Sequence, residues 1–150
     1  MYPYLIYCIH VWGSSSITNL NGLFISQKKV IRIICGCNMW ESSSPLFKRL
    51  GILKLHDLYK FYLLQYMLDV FNNIKSAYIK LDILSFQMEL GYNLRFSDKL
   101  RLPSVEVIRF KHSLIYQGVD LWNSLPNSTK NTVNKLAFKK QIFKNLLDYD

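Results

Sequence analysis

The chain has 150 residues, half of them hydrophobic and 15% aromatic, and carries a formal charge of +9. That apolar content excludes general disorder, and the length is enough for one domain with a core of its own. The charge favours polyanions or an anionic membrane surface without choosing between them.

The charge is unevenly distributed. Residues 1–27 contain no Lys, Arg, Asp or Glu, whereas residues 28–60 hold seven basic groups against Glu41 and Asp57, a balance of +5. The opening MYPYLIYCIHVWG is apolar but lacks the basic start and small-residue cleavage pattern of a secretion signal. It also falls short of the roughly 20 residues of a spanning helix, so no transmembrane segment is expected. A buried helix or strand is predicted there, and so abrupt an apolar start suggests that sequence upstream is missing.

After Ser14-Ser15-Ser16, apolar residues at Leu20, Leu23, Phe24, Val30, Ile31 and Ile34 follow helical spacing. Lys28, Lys29 and Arg32 share one turn, which predicts an amphipathic helix with a greasy side and a basic side, ending near Gly36. Ser44-Pro45 signals a second helix, with Ser44 capping it and Gly51 ending it. The run ILKLHDLYKFYLLQYMLDVFNN reads as the longest helix, with Leu55, Leu58, Tyr59, Tyr62, Leu63, Tyr66 and Val70 on a wide apolar face. Residues 1–73 therefore form a helical half.

Residues 74–112 read as an irregular connector. Tyr78 to Leu90 has weak helical character, and Leu100 to Ile108 has strand-like residues around Pro103, which restricts it to an edge strand or extended arm. Residues 113–150 contain a short helix bearing Trp122 and a final helix from Thr132 to Asp148. Leu136, Phe138, Ile142, Phe143, Leu146 and Leu147 form the apolar side of that final helix. The fold class is mainly α: a small helical bundle, an irregular segment with a short β element, and a C-terminal helix.

Catalytic patterns do not emerge. The ten acidic residues are scattered with no adjacent pair, whereas two-metal phosphoryl chemistry needs carboxylates held together. The six glycines form no phosphate-binding loop. Cys8, Cys35 and Cys37 make an odd set, expected as reduced thiols in an intracellular protein, and the Cys35-Gly36-Cys37 pair has no second pair at zinc-site spacing. Neither metal nor cofactor is expected. Basic residues beside aromatics suit nucleic acid, although most Tyr and Phe here follow core spacing.

Four stretches in series resemble one family. They are YCIHVWGSSS with LFISQKKVIRIICG, then SPLFKRLGILKLHDLYKFYLL, then YNLR with LRLP, and last SLIYQGVDLWNSLP with AFKKQIFKNLL. Together, from about Tyr2 to Tyr149, the chain resembles the C-terminal part of reverse transcriptases of non-LTR (LINE-type) retrotransposons. The resemblance implies the helical thumb and the segment after it, without the palm Asp-Asp motif. It thus implies no catalytic residue here, and the Mg2+ of the parent polymerase would belong to the palm.

The resemblance further implies an RNA/DNA template-primer as partner and a finger-palm domain upstream. It places Lys28, Lys29 and Arg32 on the thumb helix that faces nucleic acid, with Lys48 and Arg49 flanking the next turn. Trp12, Gly36, Trp122 and Pro126 are expected to be structural, with Trp122 and Leu125 buried and Pro126 ending the short helix. Leu90-Gly91-Tyr92-Asn93-Leu94-Arg95 stands where many relatives have His-x-Tyr-Asn-Thr-Arg, and Leu102-Pro103-Ser104 where many have Leu-Pro-Arg. These losses fit a decaying copy. The alternative reading is a degenerate, orphaned helical interaction module without a nucleic-acid role. Neither nucleus nor cytoplasm is indicated by any targeting sequence.

Overall fold

The structure, a computed structural model, describes residues 2–72, 100, 111–130, 132 and 134–148. Among them the fold is mainly α, with eight helices and no strand. The expected edge strand, apart from Leu100, and the weak helix from Tyr78 to Leu90 lie outside the described residues. In chain order the helices are α1 (Tyr2–Ile6), α2 (Ile9–Trp12), α3 (Ile17–Cys35), α4 (Ser44–Leu50) and α5 (Leu55–Phe71). They continue with α6 (Leu114–Ser124), α7 (Asn127–Lys130) and α8 (Lys135–Asp148).

The chain divides into two compact units, one of residues 1–62 with 136–150 and one of residues 63–135. Proximity in space thus groups the last helix with the N-terminal residues, which a division of the sequence at residues 73 and 113 does not convey.

In the first unit, the apolar opening forms α1 and α2, burying Leu5 and Ile9. They are separated by Cys8, whose φ of 49° is left-handed, a conformation L residues seldom adopt. The break frees the Tyr7 carbonyl, and the Trp12 indole N–H donates to it at 2.7 Å. Gly13 is buried beneath the Tyr59 ring: a Cβ there would overlap Tyr59 Cδ2 and stand 2.9 Å from Cε2. Burial also pushes the Tyr59 hydroxyl up to about 12. The Trp-Gly pair is therefore a packing device. Gly13→Ala is expected to press on that ring and on the Ile9 carbonyl oxygen, 2.5 Å from such a Cβ, and to cost about 1–3 kcal/mol, read as a lower urea midpoint. An unchanged midpoint would show that both the ring and the backbone there have room to move.

The α3 and α4 helices pack through Ile31, Leu46 and Phe47, with Phe24, Cys35, Cys37, Leu50 and Ile52 around them. Both end on left-handed glycines, Gly36 at φ 65° and Gly51 at φ 61°. After each glycine the chain closes back: Cys37 N–H donates to Arg32 O at 3.0 Å, and Ile52 N–H to Phe47 O at 3.0 Å. These bonds satisfy carbonyls that the helix end leaves unpaired. Ser44 does not cap α4: it is the first helical residue, and Ser43 occupies the cap position without a side-chain bond. The Ser44 hydroxyl instead accepts from Lys54 Nζ at 3.0 Å, a tertiary partner that the local sequence does not announce.

Nor is the run after Gly51 the longest helix. At 17 residues α5 is shorter than α3 at 19, because Ile52, Leu53 and Lys54 form a non-helical lead-in. Gln27 holds that lead-in from α3. Its amide Nε2 donates to Leu53 O and its Oε1 accepts from Leu55 N–H, both at 3.0 Å and both buried. The apolar face of α5 is also wider than its spacing suggests. Phe61, Leu64, Met67 and Leu68 are buried besides Leu55, Leu58, Tyr59, Leu63 and Val70, whereas Tyr62 and Tyr66 are half-buried. Burial raises the hydroxyl pKa of both tyrosines. In the first unit α8 buries Phe138 and Ile142, and Phe143 meets Phe61 edge-on at 5.6 Å. Leu136, expected on the apolar side of α8, is exposed.

In the second unit, Ser113 caps α6, its hydroxyl accepting from Tyr116 N–H at 3.2 Å. Gly118 lets α6 approach α5 closely: a Cβ there would stand 2.7 Å from Met67 Sδ and 3.5 Å from Leu63 Cδ1. Val119 and Trp122 are buried and Leu125 is half-buried. The Asn123 amide clasps Leu100 on both sides, accepting from its N–H at 2.8 Å and donating to its carbonyl at 2.7 Å. Pro126 stands at the end of α6 and the start of α7, where its carbonyl accepts from Thr129 N–H at 2.9 Å and Lys130 N–H at 3.2 Å. Lys135 Nζ bonds Asp69 Oδ1 at 2.5 Å. The stretch from Ser113 to Pro126 is thus a capped helix with a close-packing glycine, a buried Trp and an amide clasp.

Candidate nucleic-acid interface

Helix geometry sets the candidate residues relative to the core. The α3 helix buries Leu20, Gln27 and Ile31. At about 100° per residue, Lys29 points roughly opposite that stripe, with Arg32 beside it and Lys28 on the flank. Lys29 is exposed, whereas Lys28 and Arg32 are half-buried. Lys28 Nζ lies 4.1 Å from the Phe24 ring centroid, a cation–π contact that fixes the ammonium near the surface.

The outward side of α3 is not purely basic. Ile25 and Ile33, one turn before and after Lys29, are exposed, as are Leu23 and Ile34. The helix therefore does not separate into one greasy and one basic side. It carries more apolar residues than its partners in the first unit cover, so several remain in water among the cations.

Arg32 organises the connection to α4. Its Nε donates to Glu41 O at 2.9 Å, and Glu41 N–H donates to Asn38 O at 3.1 Å, closing a turn over residues 38–41. The Cys37 thiol is pushed up by burial first, then by a hydrogen bond and charge repulsion from Glu41, with Arg49 acting in the opposite sense. Arg32 thus anchors this short loop by a hydrogen bond. Lys48 and Arg49 are both exposed on α4. Glu41, also exposed, is the acidic group within this basic neighbourhood.

At the tip of the turn stand Met39, exposed, and Trp40, 97% exposed. No periodic apolar pattern includes Trp40. That isolation, in the run Asn38-Met39-Trp40-Glu41-Ser42, is a signal that reading the aromatics as core packing passes over. Gln27, adjacent to the basic pair, is likewise absent from the expected site, and it acts as a buried clamp.

Among the described residues no three His, Cys, Asp or Glu side chains come together as metal ligands. No helix of the described residues is long and apolar enough to cross a membrane. The chain matches no family model, no curated protein and no solved structure. The function therefore rests on the residues themselves.

Proposed function

We propose that this chain grips an RNA/DNA primer–template as the thumb and downstream part of a non-LTR retrotransposon reverse transcriptase, and that it has no chemistry of its own. The observation that carries this reading is the cationic neighbourhood of Lys28, Lys29 and Arg32 on α3 with Lys48 and Arg49 on α4. The α3–α4 core holds the two helices together, and Arg32 anchors the loop between them. Five cations held on a packed helix pair neutralise phosphates without reading sequence, which is what holding any primer–template requires. A finger-palm domain would supply the carboxylates and Mg2+ for polymerisation.

The test is binding of the full chain to an RNA/DNA hybrid as salt is varied. Neutralising about four phosphates gives a loss of roughly two orders of magnitude in affinity between 50 and 200 mM salt. Reversing Lys28, Lys29 and Arg32 to Glu together is expected to abolish that binding while leaving the helical circular dichroism intact. A flat salt response would remove the electrostatic grip.

One observation favours the second reading, an orphaned helical interaction module. Leu23, Ile25, Ile33 and Ile34 expose apolar surface on the same helix, as a helix docking on another protein would. Failure of the parent chain to bind the hybrid at low salt would favour that reading.

A further inference from the structure

The most exposed large hydrophobic side chain of the described residues is an aromatic, and the loop that carries it is bonded to Arg32. Trp40 is 97% exposed, so it contributes nothing to the core. A tryptophan in water forgoes the largest apolar burial of any side chain, which asks for a reason outside the fold. The loop that carries it is nonetheless positioned: Arg32 Nε holds Glu41 O at 2.9 Å, and Glu41 N–H closes the turn on Asn38 O at 3.1 Å. The ring therefore stands one residue from the arginine's anchor, about 3.8 Å along the backbone.

We propose that Trp40 is a base-stacking platform, on which an unpaired base of a single-stranded nucleic acid lies while Lys29 and Arg32 hold its phosphates. This deepens the proposed function and rests on the reading that the basic face meets nucleic acid. The commitment to a nucleic acid follows from what the surface offers together: a flat π face at Trp40 and the Arg32 guanidinium, which holds the carbonyl of the next residue, Glu41, with Lys29 exposed on the same helix as Arg32. Each unpaired nucleotide supplies both complements, a phosphate and a planar base, and stacking tolerates any sequence. Arg32 thus has two tasks, charge for the phosphate and a hydrogen bond that steadies the loop bearing the ring.

The experiment is fluorescence anisotropy of the full chain with a labelled single-stranded oligonucleotide and with an abasic oligonucleotide of the same length. Because Trp40 packs on nothing, Trp40→Ala is expected to fold as the parent does. It is expected to weaken binding of the base-bearing strand about 5- to 150-fold, with the salt slope unchanged. Trp40→Phe retains most of the affinity, and the abasic strand binds Trp40→Ala and the parent alike. Equal affinity of Trp40→Ala and parent for the base-bearing strand would overturn the stacking role, while leaving the basic grip standing. Equal losses on both strands would also overturn it, since the ring would then serve the loop rather than the base. So would a loss confined to anionic lipid vesicles, which would make Trp40 a membrane contact. Failure of the parent to bind either strand would instead overturn the basic-face reading and the platform together.

Discussion

Trp122→Ala is expected to destabilise the second unit by about 3–5 kcal/mol. Trp122 is buried on α6 beside Val119, and the helix carrying it approaches Met67 and Leu63 through Gly118. Truncation to Ala leaves a cavity that a close-packed surround fills only in part. Against a total stability of about 5–15 kcal/mol, such a loss is a large share. It also loosens the neighbouring Asn123, whose amide holds Leu100 on both its N–H and its carbonyl. Urea unfolding followed by circular dichroism, with hydrogen exchange to locate the loss, reads the effect. Protection should fall first in residues 114–124. A variant with unchanged midpoint and lost oligonucleotide binding would make Trp122 a contact residue rather than a core residue.

Gln27→Ala is expected to cost about 2–6 kcal/mol, although it removes no charge and little apolar surface. The side chain is 3% exposed and satisfies two buried backbone groups, the Leu53 carbonyl and the Leu55 N–H. Each group left unpaired costs about 1–3 kcal/mol, because neither reaches water. Gln27→Glu separates the two bonds. A carboxylate accepts from Leu55 N–H but has no donor for Leu53 O, and it places a charge in a buried site. Protonation restores a donor, so the folded-state carboxyl pKa is raised. Its stabilising contribution is present below the unfolded value, near 4.3, and is lost as pH rises through the folded value. Gln27→Glu should therefore approach parental stability at low pH and fall below it at neutral pH, measured by urea midpoints. An Ala variant as stable as the parent would show that water replaces the amide.

These two residues mark where the sequence is transparent and where it is not. Trp122 is legible, since a Trp in a short helix ended by Pro has few uses other than packing. Gln27 is opaque, because its partners are 26 and 28 positions away and a polar residue beside Lys28 and Lys29 reads as part of their surface. Asn123 is opaque for the same reason, its partner Leu100 being 23 positions away. A carboxamide has one donor end and one acceptor end, so it satisfies a backbone pair wherever the chain brings one. Local spacing gives no notice of it.

The candidate site divides in the same way. The placement of Lys28, Lys29 and Arg32 on one helix that stops at Gly36 follows from i, i+1, i+4 spacing and a glycine free to adopt φ 65°. The exposure of Ile25 and Ile33 in their midst does not, because burial depends on which surfaces other helices cover. The exposure of Trp40 is equally a product of the turn that Arg32 and Glu41 close.

By itself, then, the sequence determined the mainly helical class, the glycine stops and the clustering of cations after an uncharged start. All of these follow from interactions within a few residues along the chain. Only the tertiary structure decided that the last helix belongs with the first sixty residues, that Gln27 and Asn123 are clamps, and that Trp40 faces water. Those outcomes depend on contacts between residues far apart in sequence, and it is the competition for buried surface among such contacts that settles them.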